Sequence, residues 1–449
     1  MLQLTPRIGG HPASADDWIE VLSPYDGSAV ARVPALGAAH VDAAVAAAVN
    51  ALDRDDFPQF RRAEVLERAA ELLAERVEEF AVTIAREAGK PIRDARDETR
   101  HCVGTLRFSA VEARRLAGEV VAMDASASGY GHLGFTIRHP AGVVAAISPF
   151  TFPLDLVAHK LGPAVASGCP VVLKPAGRAP VSAIRLVDLL VEAGLPADWI
   201  SVVTGTGPEA GMPLVSHPGP AVVTFTGSVP VGRRIQQAAL GRRVLLELGA
   251  TAPVIVEPDA DLPRAITAIR QGAFSCVSAQ RVLVHGSLYR TVLAALIEAA
   301  RSLRLGDPLA EETEVGPPIS PAATERIAHW LQEARDAGVA VAGGEVHGTV
   351  MTPAVVADPP QHLDVSRREV LGPVLTVTPY GDLTEAIALA GDAGPQAAIF
   401  TAGLGAALRA ARELRFESVL INQGPALRTG EQTYAVREMT DRKFVVVSP

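Results

Sequence analysis

The feature that most restricts the fold of this chain is an alternation, from Gly142 onward, of short apolar runs with stretches of helical periodicity. The runs before residue 250 are rich in Val, Ile and Leu: Val143–Ile147, Val171–Leu173, Ile200–Val203, Val222–Phe225 and Val244–Leu248. Segments between them, such as Pro180–Glu192 and Val231–Leu240, are typical of helices. Strands that are apolar on both faces and separated by helices predict a parallel sheet covered on both sides. We therefore expect an α/β lobe of the doubly wound, nucleotide-binding type.

A second alternating set predicts a second α/β lobe. Its apolar runs and helices include Val254–Val256, Arg281–Val284, Tyr289–Leu303, Val374–Val377, Ala397–Phe400, Ala406–Leu414 and Val419–Ile421. With 449 residues, the chain exceeds one ordinary domain. We expect residues 1–118 and 141–249 to form a nucleotide-binding domain, residues 250–428 a second domain, and residues 119–140 and 429–449 a small β arm.

The residues before the arm have a mainly helical pattern. Apolar side chains at three- and four-residue spacing predict one amphipathic helix: Leu66, Ala69, Leu73, Val77 and Phe80. Gly89-Lys90-Pro91 is expected to end that helix, because glycine favours a helix end and proline cannot continue a helix. The segment Glu119–His139 is expected to form a hairpin, and Glu438–Val447 a strand. Because both lie outside the lobes, they predict a contact between subunits.

Charge and cysteine content narrow the partners and the compartment. The formal net charge is −9 and no basic stripe is present, so nucleic acid is not an expected partner. Apolar runs such as Gly142–Ile147 fall short of the roughly 20 residues that span a bilayer, so no membrane partner is expected. The N-terminus lacks the pattern of a secretory signal. Three cysteines suit a reducing compartment, and we expect the cytoplasm. The histidines and cysteines show no metal-ligand spacing, so no metal is expected.

Two glycine motifs follow predicted strands. Gly205-Thr206-Gly207 matches a loose dinucleotide fingerprint, but no acidic residue stands about 20 positions later, so we interpret it as a strand-to-helix turn. Phe225-Thr226-Gly227-Ser228 is the better candidate. Gly227 would let the backbone approach a ligand, and Ser228 could donate to a phosphate near a helix N-terminus. Alone, this motif could also be a tight turn with a capping serine.

Four side chains carry candidate chemistry, and each has a simpler interpretation. Lys174 lies at the carboxyl end of a predicted strand, where α/β sheets bind ligands, and Lys160 comes after the segment Pro149–Pro153 that follows another strand. Either lysine could also be a solvated surface charge. Glu247 ends an apolar strand, where burial of a carboxylate is costly unless the group is used, for instance as a general base. The alternative is a solvated glutamate at a sheet edge. Cys276 could be a nucleophile or a small buried hydrophobic residue.

In their order along the chain, these segments resemble the aldehyde dehydrogenase superfamily from about Val21 to Val447. The similarity is greatest to the branch that includes succinate-semialdehyde, lactaldehyde and phosphonoacetaldehyde dehydrogenases. The segments are SPFTFPLDLVAHKLGPAVASG, VVLKPAGRAP, VVTFTGSVPVGRRI, LLELGATAPVIVEPDADL, CVSAQRVLVH and REVLGPVLTV. The resemblance implies two doubly wound α/β lobes, residues 250–428 being the catalytic domain, and a β arm for oligomerisation. It also implies an NADP or NAD cofactor, an aldehyde substrate, and a homodimer or homotetramer.

The resemblance assigns a role to each matching residue. Cys276 would be the nucleophile that attacks the aldehyde, and Glu247 the base that activates water to hydrolyse the thioester. Thr151 stands at the position of the oxyanion donor, and Lys160 beneath the nicotinamide end. The residues implied to contact the cofactor are Ser148, Phe150, Lys174, Gly177, Arg178, Gly227, Ser228 and Glu369. The implied activity is NAD(P)-dependent oxidation of an aldehyde to a carboxylic acid.

The chain departs from the family pattern at the site itself. Thr151 replaces an asparagine, and loss of a comparable oxyanion donor costs on the order of 3 kcal/mol elsewhere. Phe274-Ser275 lead directly into Cys276, so a Gly-Gln loop that precedes the family cysteine is missing. A second loop that borders the family's site is missing after Asn422.

These departures leave other interpretations open. Gly177 replaces a carboxylate that would repel a 2′-phosphate, so NADP is at least as plausible as NAD, with Lys174 and Arg178 nearby. The two missing loops are compatible with a bulky substrate. The alternative is a diverged homologue that binds a nucleotide or a partner without oxidising aldehydes. A third possibility keeps the Cys276 thiol but changes the reaction, to a thioester that Glu247 does not hydrolyse or to a reduction.

Overall fold

The computed structural model describes residues 2–239, 241–249, 251–274, 279–391, 394–425 and 431–448, without the side chains of residues 431–434. Cys276 and Arg428 therefore lie outside the described residues. The N-terminal elements are β1 (Leu2–Gln3), β2 (Arg7–Ile8), β3 (His11–Pro12), β4 (Trp18–Leu22), β5 (Ala29–Pro34), α1 (Ala38–Asp53), α2 (Gln59–Glu75), α3 (Val77–Ala88) and α4 (Ile92–Arg115).

The predicted single amphipathic helix is wrong, because the segment forms two helices, α2 and α3. The break lies at Arg76, whose backbone (φ −117°, ψ 22°) is not helical. Its guanidinium donates to the carboxylate of Glu192, at 2.7 Å for one of the two bonds. Gly89 ends α3 in the left-handed conformation (φ +71°), as predicted. The residue at the break thus contacts a partner 116 residues away in sequence.

The first lobe is the predicted parallel sheet covered by helices. After the arm strands β6 (Val120–Val121) and β7 (Leu133–Pro140), its elements are β8 (Val143–Ile147), α5 (Asp155–Ser167), β9 (Val171–Lys174), α6 (Val181–Glu192), β10 (Ile200–Val202), α7 (Met212–Ser216), β11 (Pro220–Gly227), α8 (Val229–Ala238) and β12 (Arg243–Leu248). The strand order is β10-β9-β8-β11-β12, with parallel pairing throughout. The chain runs outward from β8 in one direction and returns to its other side at β11. A crevice is therefore expected between the carboxyl ends of β8 and β11.

The second lobe also follows the predicted alternation. Its elements are β13 (Pro253–Val256), α9 (Leu262–Ala273), β14 (Arg281–His285), α10 (Tyr289–Arg301), α11 (Pro321–Asp336), β15 (Ala340–Ala342), β16 (Val346–His347), β17 (Val350–Met351), β18 (Ala354–Ala357), α12 (Asp364–Arg367), β19 (Val374–Tyr380), α13 (Leu383–Ala390), β20 (Gln396–Phe400), α14 (Leu404–Glu413) and β21 (Ser418–Ile421). The sheet order is β15-β18-β19-β14-β13-β20-β21, and β15 pairs antiparallel with β18. The strands of the two large sheets lie on either side of residue 250.

The arm is a small antiparallel sheet. After α15 (Glu431–Glu438), the last strand, β22 (Thr440–Val447), pairs with β7, which also pairs with β6. Several of its apolar side chains are exposed: Val120, Leu133, Phe444, Val446 and Val447. Within the described residues, no helix is both long and apolar enough to cross a membrane.

Candidate active site

The predicted cofactor residues of the first lobe lie around the crevice between β8 and β11. Ser148 follows β8 directly, and its N–H donates to the carbonyl of Lys174 at the end of β9 (3.3 Å). The Ser148 side chain is 5% exposed, and among the described residues its Oγ has no hydrogen-bond partner. A buried hydroxyl without a partner is costly, so its presence here fits a polar ligand that completes the site.

Lys174 is buried and not a surface charge, so the simpler interpretation of this residue is wrong. Its Nζ donates to the carbonyl of Pro175 (3.0 Å), and burial lowers its pKa to about 8. The aliphatic part of its side chain passes Gly211 in the turn after β10. A lysine in this position can still donate to a ligand at the strand end, because an ammonium has three N–H groups.

Gly177 and Arg178 lie in the turn after β9. A Cβ atom added at Gly177 would lie 3.8 Å from the nearest atom, the carbonyl oxygen of Gly205, which is ordinary van der Waals contact. The turn therefore has room for a side chain at position 177, although none is present. Arg178 is exposed, so its guanidinium can reach an anionic group outside the sheet.

The Gly205-Thr206-Gly207 segment is a turn, as interpreted from the sequence. The Thr206 hydroxyl accepts a hydrogen bond from the N–H of Glu209 (3.2 Å) and caps a single π-helical turn, Gly207–Gly211. The loop contributes backbone to the neighbourhood of Lys174 and Gly177.

Gly227 and Ser228 connect β11 to α8. A Cβ atom at Gly227 would lie 2.6 Å from the ring of Phe225, so any larger residue would displace that ring. Ser228 is the N-cap residue of α8, but its side chain makes no capping hydrogen bond and is exposed. Its hydroxyl and the free N–H groups of the helix start are therefore available to an anion such as a phosphate.

Glu247 lies on β12, directly opposite Thr226 of β11 in the parallel register. Its side chain is exposed, because β12 is an edge strand of the sheet, so the structure fits the solvated, edge-facing interpretation and not the buried one. The Glu247 carboxylate is nevertheless held, since the Thr226 hydroxyl donates to its Oε2 at 2.7 Å.

Lys160 completes this arrangement from α5. Its side chain is 1% exposed, so the surface-charge interpretation is wrong here too. Its Nζ donates to the hydroxyls of Thr226 (2.6 Å) and Thr224 (3.2 Å). A hydrogen-bonded chain therefore runs from a buried ammonium through Thr226 to the exposed Glu247 carboxylate. The two threonines were not predicted as site residues, although their alternation on an otherwise apolar strand was a signal.

Glu369 reaches the same region from the second lobe. A Cβ atom added at Gly249 would lie only 1.8 Å from Glu369 Oε2, so the carboxylate packs against the backbone two residues after Glu247. Gly249 is joined to the crevice because its N–H donates to the carbonyl of Gly227 (3.0 Å). Burial raises the pKa of Glu369 to about 7, and the positive charge of Arg326 opposes this rise. Glu247, Glu369 and Gly227 thus lie near one another at the carboxyl ends of β11 and β12.

Two of the remaining predicted residues lie in the turn between β8 and α5. Phe150 and Thr151 are half-buried there. Cys276 is not described, but Phe274, two residues before it, is buried at the end of α9.

Comparison with known proteins identifies the family of this protein. The model of the aldehyde dehydrogenase family matches residues 11–435. The chain belongs to the aldehyde dehydrogenase family. The 3-sulfolactaldehyde dehydrogenase of Priestia aryabhattai is 37% identical over 464 residues, which cover 98% of this chain and 97% of the relative.

Solved structures agree with this assignment. An NAD-dependent aldehyde dehydrogenase from Sinorhizobium meliloti superposes with a TM-score of 0.93 at 32% identity, covering 99% of this chain and 95% of the other. The glyceraldehyde-3-phosphate dehydrogenase GapN from Methanocaldococcus jannaschii, complexed with NADP, gives 0.92 at 30% identity, with coverages of 97% and 100%. The α/β fold with two doubly wound lobes is confirmed. The chain is an aldehyde dehydrogenase-type enzyme, whose activity at the family level is NAD(P)-dependent oxidation of an aldehyde.

Proposed function

We propose that this protein oxidises an aldehyde to a carboxylic acid with Cys276 as the nucleophile and Glu247 as the base for hydrolysis. The observation that carries the proposal is the hydrogen-bonded chain from Lys160 through Thr226 to Glu247. These hydrogen bonds hold the Glu247 carboxylate in place beside Gly227 and Glu369, where the cofactor is expected. A diverged protein that only binds nucleotide would have no need to hold Glu247 in this way.

The proposed reaction gives one role to each of these side chains. The Cys276 thiolate attacks the aldehyde carbon, and the Thr151 hydroxyl donates to the oxygen that becomes negative. A bound nicotinamide would accept the hydride that the resulting thiohemiacetal carbon then loses, which leaves a thioester on Cys276. Glu247 then takes a proton from a water molecule, whose oxygen attacks the thioester carbon and displaces the thiolate. Thr226 and Lys160 hold Glu247 in place through both half-reactions.

The test is the near-ultraviolet absorbance of reduced nicotinamide, measured with NAD or NADP against small and bulky aldehydes. The panel includes 3-sulfolactaldehyde, because the relative from Priestia aryabhattai is named for it. Aldehyde-dependent formation of reduced cofactor is the expected result. Tight nucleotide binding without turnover on any aldehyde would favour the diverged homologue instead.

NADP is the cofactor that this chain is proposed to prefer. We expect Gly177→Glu to weaken NADP binding roughly tenfold, about 1.4 kcal/mol, and to leave NAD binding unchanged or tighter. The reason is that a carboxylate in this turn repels a 2′-phosphate and accepts from a ribose hydroxyl, and position 177 has room for it. Both dissociation constants are measured by fluorescence titration. Arg178→Gln is the companion variant and should weaken NADP binding alone. An equal effect of either change on the two cofactors would contradict the preference.

Thr151 is proposed to be a weak oxyanion donor. We expect Thr151→Asn to raise kcat/KM about tenfold, because an amide on a longer arm reaches the oxyanion better than a hydroxyl. Thr151→Val, which has a similar shape but no donor, should lower kcat/KM. Initial rates with the best aldehyde of the panel check both changes. A loss of activity in Thr151→Asn would mean that the site has adapted to threonine.

The arm is proposed to join subunits of a homodimer or homotetramer. Its sheet of β22, β7 and β6 exposes apolar side chains such as Leu133 and Phe444, and an exposed apolar surface of this kind favours association.

A cytoplasmic location is proposed as well, since Cys102 and Cys169 are free thiols.

A further inference from the structure

A buried ion pair lies outside the chemistry described so far. Lys90 Nζ and Glu98 Oε2 are 2.5 Å apart, and the two side chains are 6% and 0% exposed. Removing two charges from water costs several kcal/mol per ion, and such pairs rarely add net stability compared with apolar residues. Their presence therefore calls for a role beyond stability.

Glu98 fixes the start of α5. Its second oxygen, Oε1, accepts hydrogen bonds from the N–H groups of Leu154 (2.9 Å) and Asp155 (3.2 Å). A carboxylate at a helix start satisfies free N–H groups and interacts well with the positive end of the helix. Because the turn with Thr151 immediately precedes this helix, Glu98 sets where that turn ends.

Lys90 contacts the same turn through the side chain of Phe152. Its Nζ lies 3.7 Å from the centre of the Phe152 ring, which is the geometry of a cation–π interaction. Phe152 is the neighbour of Thr151 in sequence. The ion pair therefore contacts the turn twice, at the Phe152 ring and at the backbone N–H groups that follow it.

Lys90 also lies where this turn meets the second lobe. It lines a small cavity of about 30 Å³ together with Phe274 and Leu371. Phe274 is two residues before Cys276, and Leu371 is two residues after Glu369. The three segments expected to carry the oxyanion donor, the nucleophile and a cofactor contact thus meet around one lysine.

We propose that Lys90 and Glu98 are positioning residues for the aldehyde site. They fix the Thr151 hydroxyl and the Phe152 ring relative to the lobe that carries Cys276, and so act on attack at the aldehyde. Ser148, Lys174 and Gly227 are held by other contacts, and Lys90 approaches the segment of Glu369 only at Leu371, so nucleotide binding should change little. This inference rests on the proposed function. Misplacement of a reacting group by about 1 Å can cost about 10²-fold in rate.

The experiment compares Lys90→Met, Lys90→Arg and Phe152→Leu with the unchanged enzyme in single-turnover measurements. Lys90→Met removes the charge, and we expect it to slow the burst of reduced cofactor by about 10- to 10²-fold and to raise the aldehyde KM. The nucleotide dissociation constant should change less than about twofold. Lys90→Arg, which keeps the charge, should recover most of the burst rate. Phe152→Leu removes the ring but leaves the ion pair intact, and it should slow the burst without unfolding the protein.

Glu87 offers a matched control for Glu98→Gln. It is likewise buried, and it accepts hydrogen bonds from the N–H groups of Val181 (2.7 Å) and Ser182 (2.9 Å) at the start of α6. We expect Glu98→Gln to lower the melting temperature more than Glu87→Gln, because it also leaves the Lys90 charge unpaired, and only Glu98→Gln to slow the burst.

Two outcomes would overturn the inference. One is a normal burst in Lys90→Met and Phe152→Leu. The other is a loss in Lys90→Met that extends equally to nucleotide binding and that Lys90→Arg does not recover. Failure of the proposed function is distinguishable from both, because the unchanged enzyme would then show no burst dependent on Cys276.

Discussion

Glu247→Gln is expected to leave the first turnover of cofactor reduction intact and to slow steady turnover by about 10²- to 10⁴-fold. Glutamine has the shape of glutamate and can still accept the hydrogen bond that Thr226 donates to Glu247. It cannot take a proton from water, so only hydrolysis of the thioester should fail. The enzyme would stop after one turnover with the acyl group on Cys276.

Rapid mixing checks this result by comparing the burst of reduced cofactor with the steady rate. Mass spectrometry of the stopped reaction should show one added acyl group per chain. Thr226→Val is the companion variant, since it keeps the shape of the threonine side chain but removes the hydroxyl between Lys160 and Glu247. It should slow hydrolysis less than Glu247→Gln does. If the burst and the steady rate fell equally in Glu247→Gln, Glu247 would act before hydride transfer and the assigned role would be wrong.

The strands were the most predictable part of the fold. The predicted run Val143–Ile147 coincides with β8, and Val222–Phe225 lies inside β11, Pro220–Gly227. Strands that are buried on both faces must be apolar throughout, so local composition marks them well. The break between α2 and α3 was not predictable in this way, because the apolar three- and four-residue spacing continues across Arg76.

The cofactor side of the site could be predicted because parallel strands deliver their carboxyl ends to one edge of the sheet. The hydrogen-bonded chain through Thr226 could not, because it depends on the register between β11 and β12 and on how α5 packs. Burial of Lys160 was missed for the same reason, since a lone lysine is most often solvated. Glu98 did leave a signal: it stands between Ala95 and Cys102 in an apolar stripe of α4, where a charge needs a partner.

Cys276→Ala should abolish aldehyde-dependent reduction of the cofactor, with a loss of more than about 10³-fold. The thiolate is the group that forms the bond to the aldehyde carbon, and alanine offers no substitute. Nucleotide binding should persist, because the residues around the crevice, such as Ser148 and Lys174, do not depend on the thiol. Absorbance of reduced nicotinamide and fluorescence titration of the cofactor measure the two properties on the same sample.

The other two thiols provide the controls. Cys102 and Cys169 are buried, and burial raises the pKa of both thiols, so neither supplies a reactive thiolate. The Cys169 thiol also donates to the carbonyl of Met439 (3.2 Å), which holds the sulfur inside the core. Cys102→Ala and Cys169→Ala should therefore keep the burst, although each removes one sulfur from the chain. Turnover that survived Cys276→Ala would require a nucleophile other than these three thiols. The assignment of Cys276 would then fail, even though the chain belongs to the aldehyde dehydrogenase family.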